Sequence, residues 1–200
     1  MENQQKVWDN IAQEWNQFKT SPAENVKKFL KKQTGKVLDL GSGSGRHLIK
    51  IKNGKMYLVD FSKNMIELAK EKSKKKKIPA EFFVSKLDEL PFENNFFNTA
   101  ICISALHCVE SSEKRNKTVQ ELYRVMKPKS LAFIGVWNKN SKRFEKLKNK
   151  EKLVKWRDKG TRYYYLYDEK EVHDLFGEVG FKIFPEKLNS EMMINFIVKK

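Results

Sequence analysis

Cysteine is scarce in this 200-residue chain, with only Cys102 and Cys108. Two thiols make no disulfide framework, and the histidines at 47, 107 and 173 are too scattered to cluster as metal ligands. A reduced, cytoplasmic location is the expectation. Long apolar runs are also missing. The longest, Leu131–Trp137, falls far short of the roughly 20 residues that a membrane span needs, and the polar N-terminus carries no signal-peptide core. Acidic residues are few beside basic ones, 25 against 41, which leaves a net charge of +16. That excess suits a polyanionic partner such as RNA. Lysine enrichment also arises from genome composition or a hot habitat. No repeat and no linker divides the chain, so residues 1–200 are expected to form a single domain.

What is present centres on Lys36–Arg46, which contains Val37, Leu38, Asp39, Leu40, Gly41, Gly43 and Gly45. It reads as a buried strand, a glycine turn and the start of a helix whose free N–H groups would face a ligand. A dinucleotide fingerprint would place its third glycine one position later, where Arg46 stands. Lys55–Asp60 reads as the next strand. It ends in a carboxylate 21 residues after Asp39, close to the spacing at which an acid accepts hydrogen bonds from a ribose. Ser62 reads as the cap of a helix over 63–72.

Around this unit the pattern predicts helices over Gln4–Phe18 and from Pro22, capped by Ser21, to about Lys32. Strands are expected at Phe82–Val84, Phe97–Ser104, Leu131–Trp137, Phe181–Phe184 and Met192–Val198. Helices are expected over Ser112–Lys127, stopped by Pro128, and over Asp168–Gly177. Residues 138–160 carry ten Lys or Arg against three Asp or Glu, and Thr161–Tyr167 is basic and aromatic.

The glycine loop, with its acid two residues ahead, resembles the S-adenosylmethionine loop of Rossmann-like class I methyltransferases. The order of elements resembles that family from Val7 to the end. Narrower likenesses point to the tRNA methyltransferases that esterify wobble carboxymethyluridine, including the methyltransferase part of an AlkB-homologue fusion. Val7–Ala12, Phe18–Pro22, Ser104–His107 and Gly160–Tyr167 carry them. The chain departs in having Lys19 for an arginine, Cys108 for a second histidine, Tyr165 for a histidine, and Lys86 where an acid usually meets the adenine.

The resemblance implies an α/β fold: a seven-stranded, mostly parallel sheet with one antiparallel C-terminal strand and helices on both faces. Residues 1–34 would form a helical lid, and 138–167 an insertion at the acceptor site. S-adenosyl-L-methionine would be held by Asp39, Gly41, Gly43, Gly45, Asp60, Phe61, Leu87, Asp88 and Ser104. A carboxymethyl acceptor is already ionised at pH 7, so the site needs a cation rather than a strong base. Arg162 offers a bidentate fork and Lys19 a second cation. His107 would orient the acceptor, and Tyr163 would stack on a base or donate to it. Within Tyr163–Tyr167, 163 and 165 face one way and 164 the other, so not all can line one site. The expected partners are tRNA and a small zinc-binding activator protein, which would add to the third-strand edge at Glu81–Val84 and bring its own metal. Two other readings stand beside this one: a small-molecule methyltransferase on the same scaffold, and a non-catalytic cofactor-sensing or RNA-binding subunit.

Overall fold

The computed structural model describes residues 2–18, 20–185 and 192–200. Two helices come first, α1 (Gln4–Phe18) and α2 (Glu24–Leu30). Then follow β1 (Thr34–Leu40), β2 (Lys52–Asp60), α3 (Lys63–Lys76), β3 (Ala80–Val84), β4 (Phe97–Ile103), α4 (Ser112–Val125) and β5 (Met126–Trp137). A hairpin of β6 (Glu151–Lys155) and β7 (Thr161–Tyr165) leads into α5 (Glu169–Val179), β8 (Lys182–Pro185) and β9 (Met193–Lys199). The main sheet has the order β3-β2-β1-β4-β5-β9-β8, and only β9 runs against its neighbours. The expected sheet is therefore present.

The apolar runs predicted as strands lie in the sheet interior, where Val37, Leu38 and Leu40 are fully buried. One face packs Val119, Leu122 and Val125 of α4 with Val172 and Phe176 of α5. The other face packs Val26, Phe29 and Leu30 of α2 with Ala69 of α3. Strand order reverses between β1 and β4, and the crevice at such a reversal is where ligands bind in open α/β sheets.

Several expectations are corrected. No helix follows the glycine turn; residues 41–47 form turns only, tied by Gly45 N–H to the Ser42 carbonyl (3.1 Å). Gly45 sits at φ +71°, a conformation that cannot propagate a right-handed helix, and β2 begins as early as Lys52. Helix α2 begins at Glu24 rather than Pro22, and Ala23 at its cap offers no side-chain bond. Helix α3 runs four residues further than expected, through Lys76. Pro128 does not stop α4, which ends at Val125 when Met126 turns extended. The proline lies in an irregular stretch of β5, between the Met126 and Leu131 pairings with β4. The basic stretch after β5 folds in part as β6, which pairs with β7 as a separate two-stranded sheet. No helix among the described residues is long and apolar enough to cross a membrane.

Candidate active site

The glycine turn folds over the end of β2. Gly41 N–H (2.8 Å) and Ser42 N–H (3.0 Å) both donate to the Val59 carbonyl. Gly41 must lack a side chain, because a Cβ would fall 2.1 Å from that of Ala105 after β4. Gly43, at φ +51°, aims its N–H at Asp60 Oδ2 (2.8 Å). Ser62 N–H donates to the other carboxylate oxygen (3.0 Å). Burial raises the Asp60 carboxyl to about 6, against the pull of these backbone donors. Asp39 is buried behind the turn with Oδ2 unpartnered. Burial first, and the Asp60 charge second, push its carboxyl up to about 8.

A cavity of about 420 Å³ opens over these strand ends, within the usual size of a small-ligand site. Its floor is Gly41–Ser44, Asp60 and Phe61. Leu87, Asp88 and Lys86 form one side, and Ile103, Ser104, Ala105 and Cys108 another. Helix α1 closes it with Gln4, Gln5, Trp8 and Trp15. That helix is fastened at several points. Gln5 Nε2 donates to the Phe61 carbonyl (2.8 Å). Asp9 Oδ1 accepts from Ser62 Oγ (2.6 Å) and Asn64 N–H (3.1 Å). Ser62 Oγ in turn accepts from Met65 N–H (3.1 Å), so the cap of α3 is also a joint with α1. On the other side Gln4 pairs with β7: its Nε2 donates to the Thr161 carbonyl (3.0 Å), and its Oε1 accepts from Tyr163 N–H (2.8 Å).

Of the residues assigned to a cofactor from sequence, Gly41, Gly43, Asp60, Phe61, Leu87, Asp88 and Ser104 line this cavity. Asp39 and Gly45 lie outside its lining, Gly45 packed on Ala69. The acceptor set is more dispersed. His107 is buried in a 3₁₀ turn, its ring against Trp137 and Tyr164, and Nδ1 accepts from Trp137 N–H (3.0 Å). Tyr163 is buried away from the cavity, its hydroxyl on Glu151 (3.0 Å) and beside Arg115. These two are packing groups in this structure. Lys19 lies outside the described residues.

Arg162 is buried among rings: the guanidinium sits 4.6 Å from Trp156, 5.2 Å from Tyr164, 5.4 Å from Trp15 and 5.9 Å from Trp8. It donates to the Tyr164 hydroxyl, its Nε is unpartnered, and no carboxylate pairs with it among the described residues. Trp8 and Trp15 separate it from the cavity that they line. The tyrosines alternate as expected, Tyr164 on the Arg162 side and Tyr163 with Tyr165 on the Arg115 side. Gln4, Gln5, Trp8, Trp15 and Arg46 also line the cavity and were not among the residues expected there. For the first four the available signal was their place on the helix over Gln4–Phe18, which the resemblance makes part of a lid.

A family model described as a methyltransferase domain matches residues 31–180. The chain belongs to the methyltransferase domain family. Its cofactor is S-adenosyl-L-methionine, and the cavity fits that molecule. Asp60 keeps free lone pairs toward a ribose diol, Phe61 and Leu87 give apolar walls, and the buried Trp8 Nε1 is a donor without an acceptor. This methyltransferase domain is 30% identical over 152 residues to the tRNA (carboxymethyluridine(34)-5-O)-methyltransferase alkbh8 of Xenopus tropicalis, covering 75% of the chain and 23% of that protein. It is 32% identical over 138 residues to the 2-phytyl-1,4-naphtoquinone methyltransferase of Nostoc punctiforme, covering 66% of the chain and 53% of that protein. The chain thus spans from under a quarter to about half the length of these relatives. Its fold matches that of a Haloferax volcanii methyltransferase solved in complex with the Trm112 methyltransferase activator. There the TM-score is 0.70 at 14% identity, with 100% of this chain and 98% of that one covered.

Proposed function

We propose that this methyltransferase domain modifies tRNA, transferring a methyl group to the carboxylate of a carboxymethyl-type uridine at the wobble position. The observation that carries the reading is Arg162, a buried cation with no anionic partner among the described residues, one layer of tryptophan from the cofactor cavity. A desolvated guanidinium without a carboxylate is costly unless an anion arrives to meet it. The Xenopus relative's acceptor supplies such an anion, and the net charge of +16 suits the nucleic acid that bears it.

Bound S-adenosylmethionine supplies an electrophilic methyl on sulfur. The chain's residues do the rest. Asp60 and the Gly41–Ser44 turn fix the ligand's position, and α1 shuts out water. Arg162, once Trp8 or Trp15 shifts, orients the acceptor carboxylate. An ionised carboxylate has no proton to lose, so this acceptor needs no general base. In the test, the protein is incubated with labelled cofactor and unfractionated tRNA, which is then digested to nucleosides. The expected outcome is label in a uridine ester; label in small molecules alone overturns the reading.

A second reading, transfer to a small molecule, is favoured by the likeness to the Nostoc quinone methyltransferase. It predicts weak tRNA affinity and a shallow salt dependence. Among the described residues strand β3 pairs only with β2, and Val84 at its end is exposed. An activator of the kind bound by the Haloferax neighbour would extend the sheet there. Phe82 and Phe83 each pack on a core cluster, so both faces of the strand are covered and the free edge is the backbone. Co-expression with such an activator should raise solubility and activity; no gain over the chain alone refutes the partner.

A further inference from the structure

Tyr163, expected to stack on a nucleobase, is buried, and different rings take the surface. Phe18, the last residue of α1, is 69% exposed, the highest among the large apolar side chains described. Its ring meets Trp156 of the β6–β7 turn edge-on at 5.4 Å. Trp156 touches Trp15 at 5.8 Å, and Trp15 touches Trp8 at 5.1 Å. Trp15 and Trp8 line the cofactor cavity. A continuous file of four rings therefore runs from solvent to the cavity wall, with Arg162 over Trp156, Trp15 and Trp8.

The cations lie at the outer end. Lys155 is exposed and makes no ion pair among the described residues. Arg157 and Lys159 reach Glu14 of α1 at 3.2 and 2.8 Å, and Trp156 Nε1 donates to the same carboxylate at 2.7 Å. Glu14 thus clamps the hairpin turn against α1 and holds Trp156 beside Phe18. Three cations on this turn face two acids, Glu14 and Asp158, so the surface around the rings stays basic.

We infer that Phe18 and Trp156 form a stacking platform for unpaired bases of a single-stranded RNA loop, with Lys155 and Arg157 meeting its phosphates. Exposed aromatics flanked by cations are how unpaired nucleic acid is held without base-edge readout. Duplex RNA has no free base face to offer these rings. The inference rests on the tRNA reading for its occupant, and the ring file gives it direction. A loop stacked at Phe18 lies at the outer end of the file of rings whose inner members, Trp15 and Trp8, line the cavity.

The experiment compares wild type with Phe18→Leu, which keeps an apolar side chain and removes the π face. Leu153→Ala, at a 60%-exposed apolar site on β6, is the control. Fluorescence anisotropy with a labelled stem-loop RNA, and with the same stem fully paired, reads affinity. Phe18→Leu should weaken loop binding about fivefold to a hundredfold and leave duplex binding, cofactor affinity and melting temperature unchanged. Leu153→Ala should change none of these. Lys155→Glu should flatten the salt slope for the loop by about one contact. Equal loss for Phe18→Leu and Leu153→Ala, or equal loss for loop and duplex, overturns the platform. So does dimerisation in sedimentation that Phe18→Leu abolishes with RNA affinity intact, since the rings then cover a second copy. Wild-type label transfer to tRNA, run alongside, separates the failures. Transfer with loop affinity unmoved by Phe18→Leu defeats the platform alone, whereas loop binding without transfer to tRNA defeats the acceptor assignment.

Discussion

The two halves of the site are built on different principles. The cofactor half is made by backbone. Gly41, Gly43 and Ser62 place N–H groups by virtue of turn geometry, and Asp60 receives two of them, from the turns after β1 and β2. The proposed acceptor half is made by side chains that meet across the whole chain. Trp8 and Trp15 come from α1, Trp156, Arg162 and Tyr164 from the hairpin, and Cys108 from the end of β4. Local geometry is specified by short motifs, so the first half can be carried by a few residues close in sequence. The second half depends on packing between distant segments and is free to change its acceptor.

If the halves are separable, variants in one should spare the other. The largest effect is expected from Arg162→Ala, which should slow transfer to tRNA by about a hundredfold or more while cofactor affinity stays within about twofold. Arg162→Lys should rescue poorly, because an ammonium lacks the bidentate fork. A matching loss of cofactor affinity, measured by calorimetry, would break the comparison. Asp60→Ala comes next. It removes charge-assisted bonds of roughly 1.5–3 kcal/mol, so cofactor affinity should fall about ten- to a hundredfold with the fold intact. An unchanged dissociation constant would take Asp60 out of the site.

Acidity should produce about a tenfold effect. The ionised Asp60 is the better acceptor for a ribose, and its carboxyl titrates near 6, so cofactor affinity should fall about tenfold between pH 7 and pH 5. The ligand-free fold should respond the other way. Asp39 and Asp60 bind protons more tightly folded than unfolded, so stability should rise as pH falls from above 8 toward 6.5. Below that, His173, whose burial disfavours its charged form, begins to oppose the gain. Parallel pH series by calorimetry and thermal melting test both signs. The smallest effect is Gln4→Ala. It removes two bonds to β7 and leaves buried Tyr163 N–H unpaired, a cost of about 2 kcal/mol. The melting temperature should drop by about 4–8 °C. No shift would mean that α1 and the hairpin are not coupled through Gln4.

The same contrast governs what could be read from the sequence. Strands β1, β2, β4 and β5 announce themselves as apolar runs, and Asp60 by its distance from Asp39, because both signals are local. The alternation of Tyr163 and Tyr164 was legible for the same reason. The missing helix after Gly45 was not, since the glycine pattern fits both outcomes and only the early start of β2 decides. His107 was expected to orient the acceptor, but the 3₁₀ turn puts it in packing with Trp137, 30 residues on. Arg162 stood out as a cation, whereas its enclosure by Trp8 and Trp15 depends on contacts about 150 residues apart that no local pattern records.

The bond from Ser62 to Asp9 has a consequence for how such domains can be recombined. The serine that starts α3 hands its only proton to the first helix, so the cover of the cavity and the cofactor lobe share a joint. A graft that imports a foreign first helix without an acceptor at position 9 leaves that hydroxyl and the Asn64 amide facing each other with nothing between. Natural or engineered crossovers should therefore fail between residues 18 and 62 unless the acceptor at position 9 is kept. The acid and the serine travel together even though 53 positions separate them.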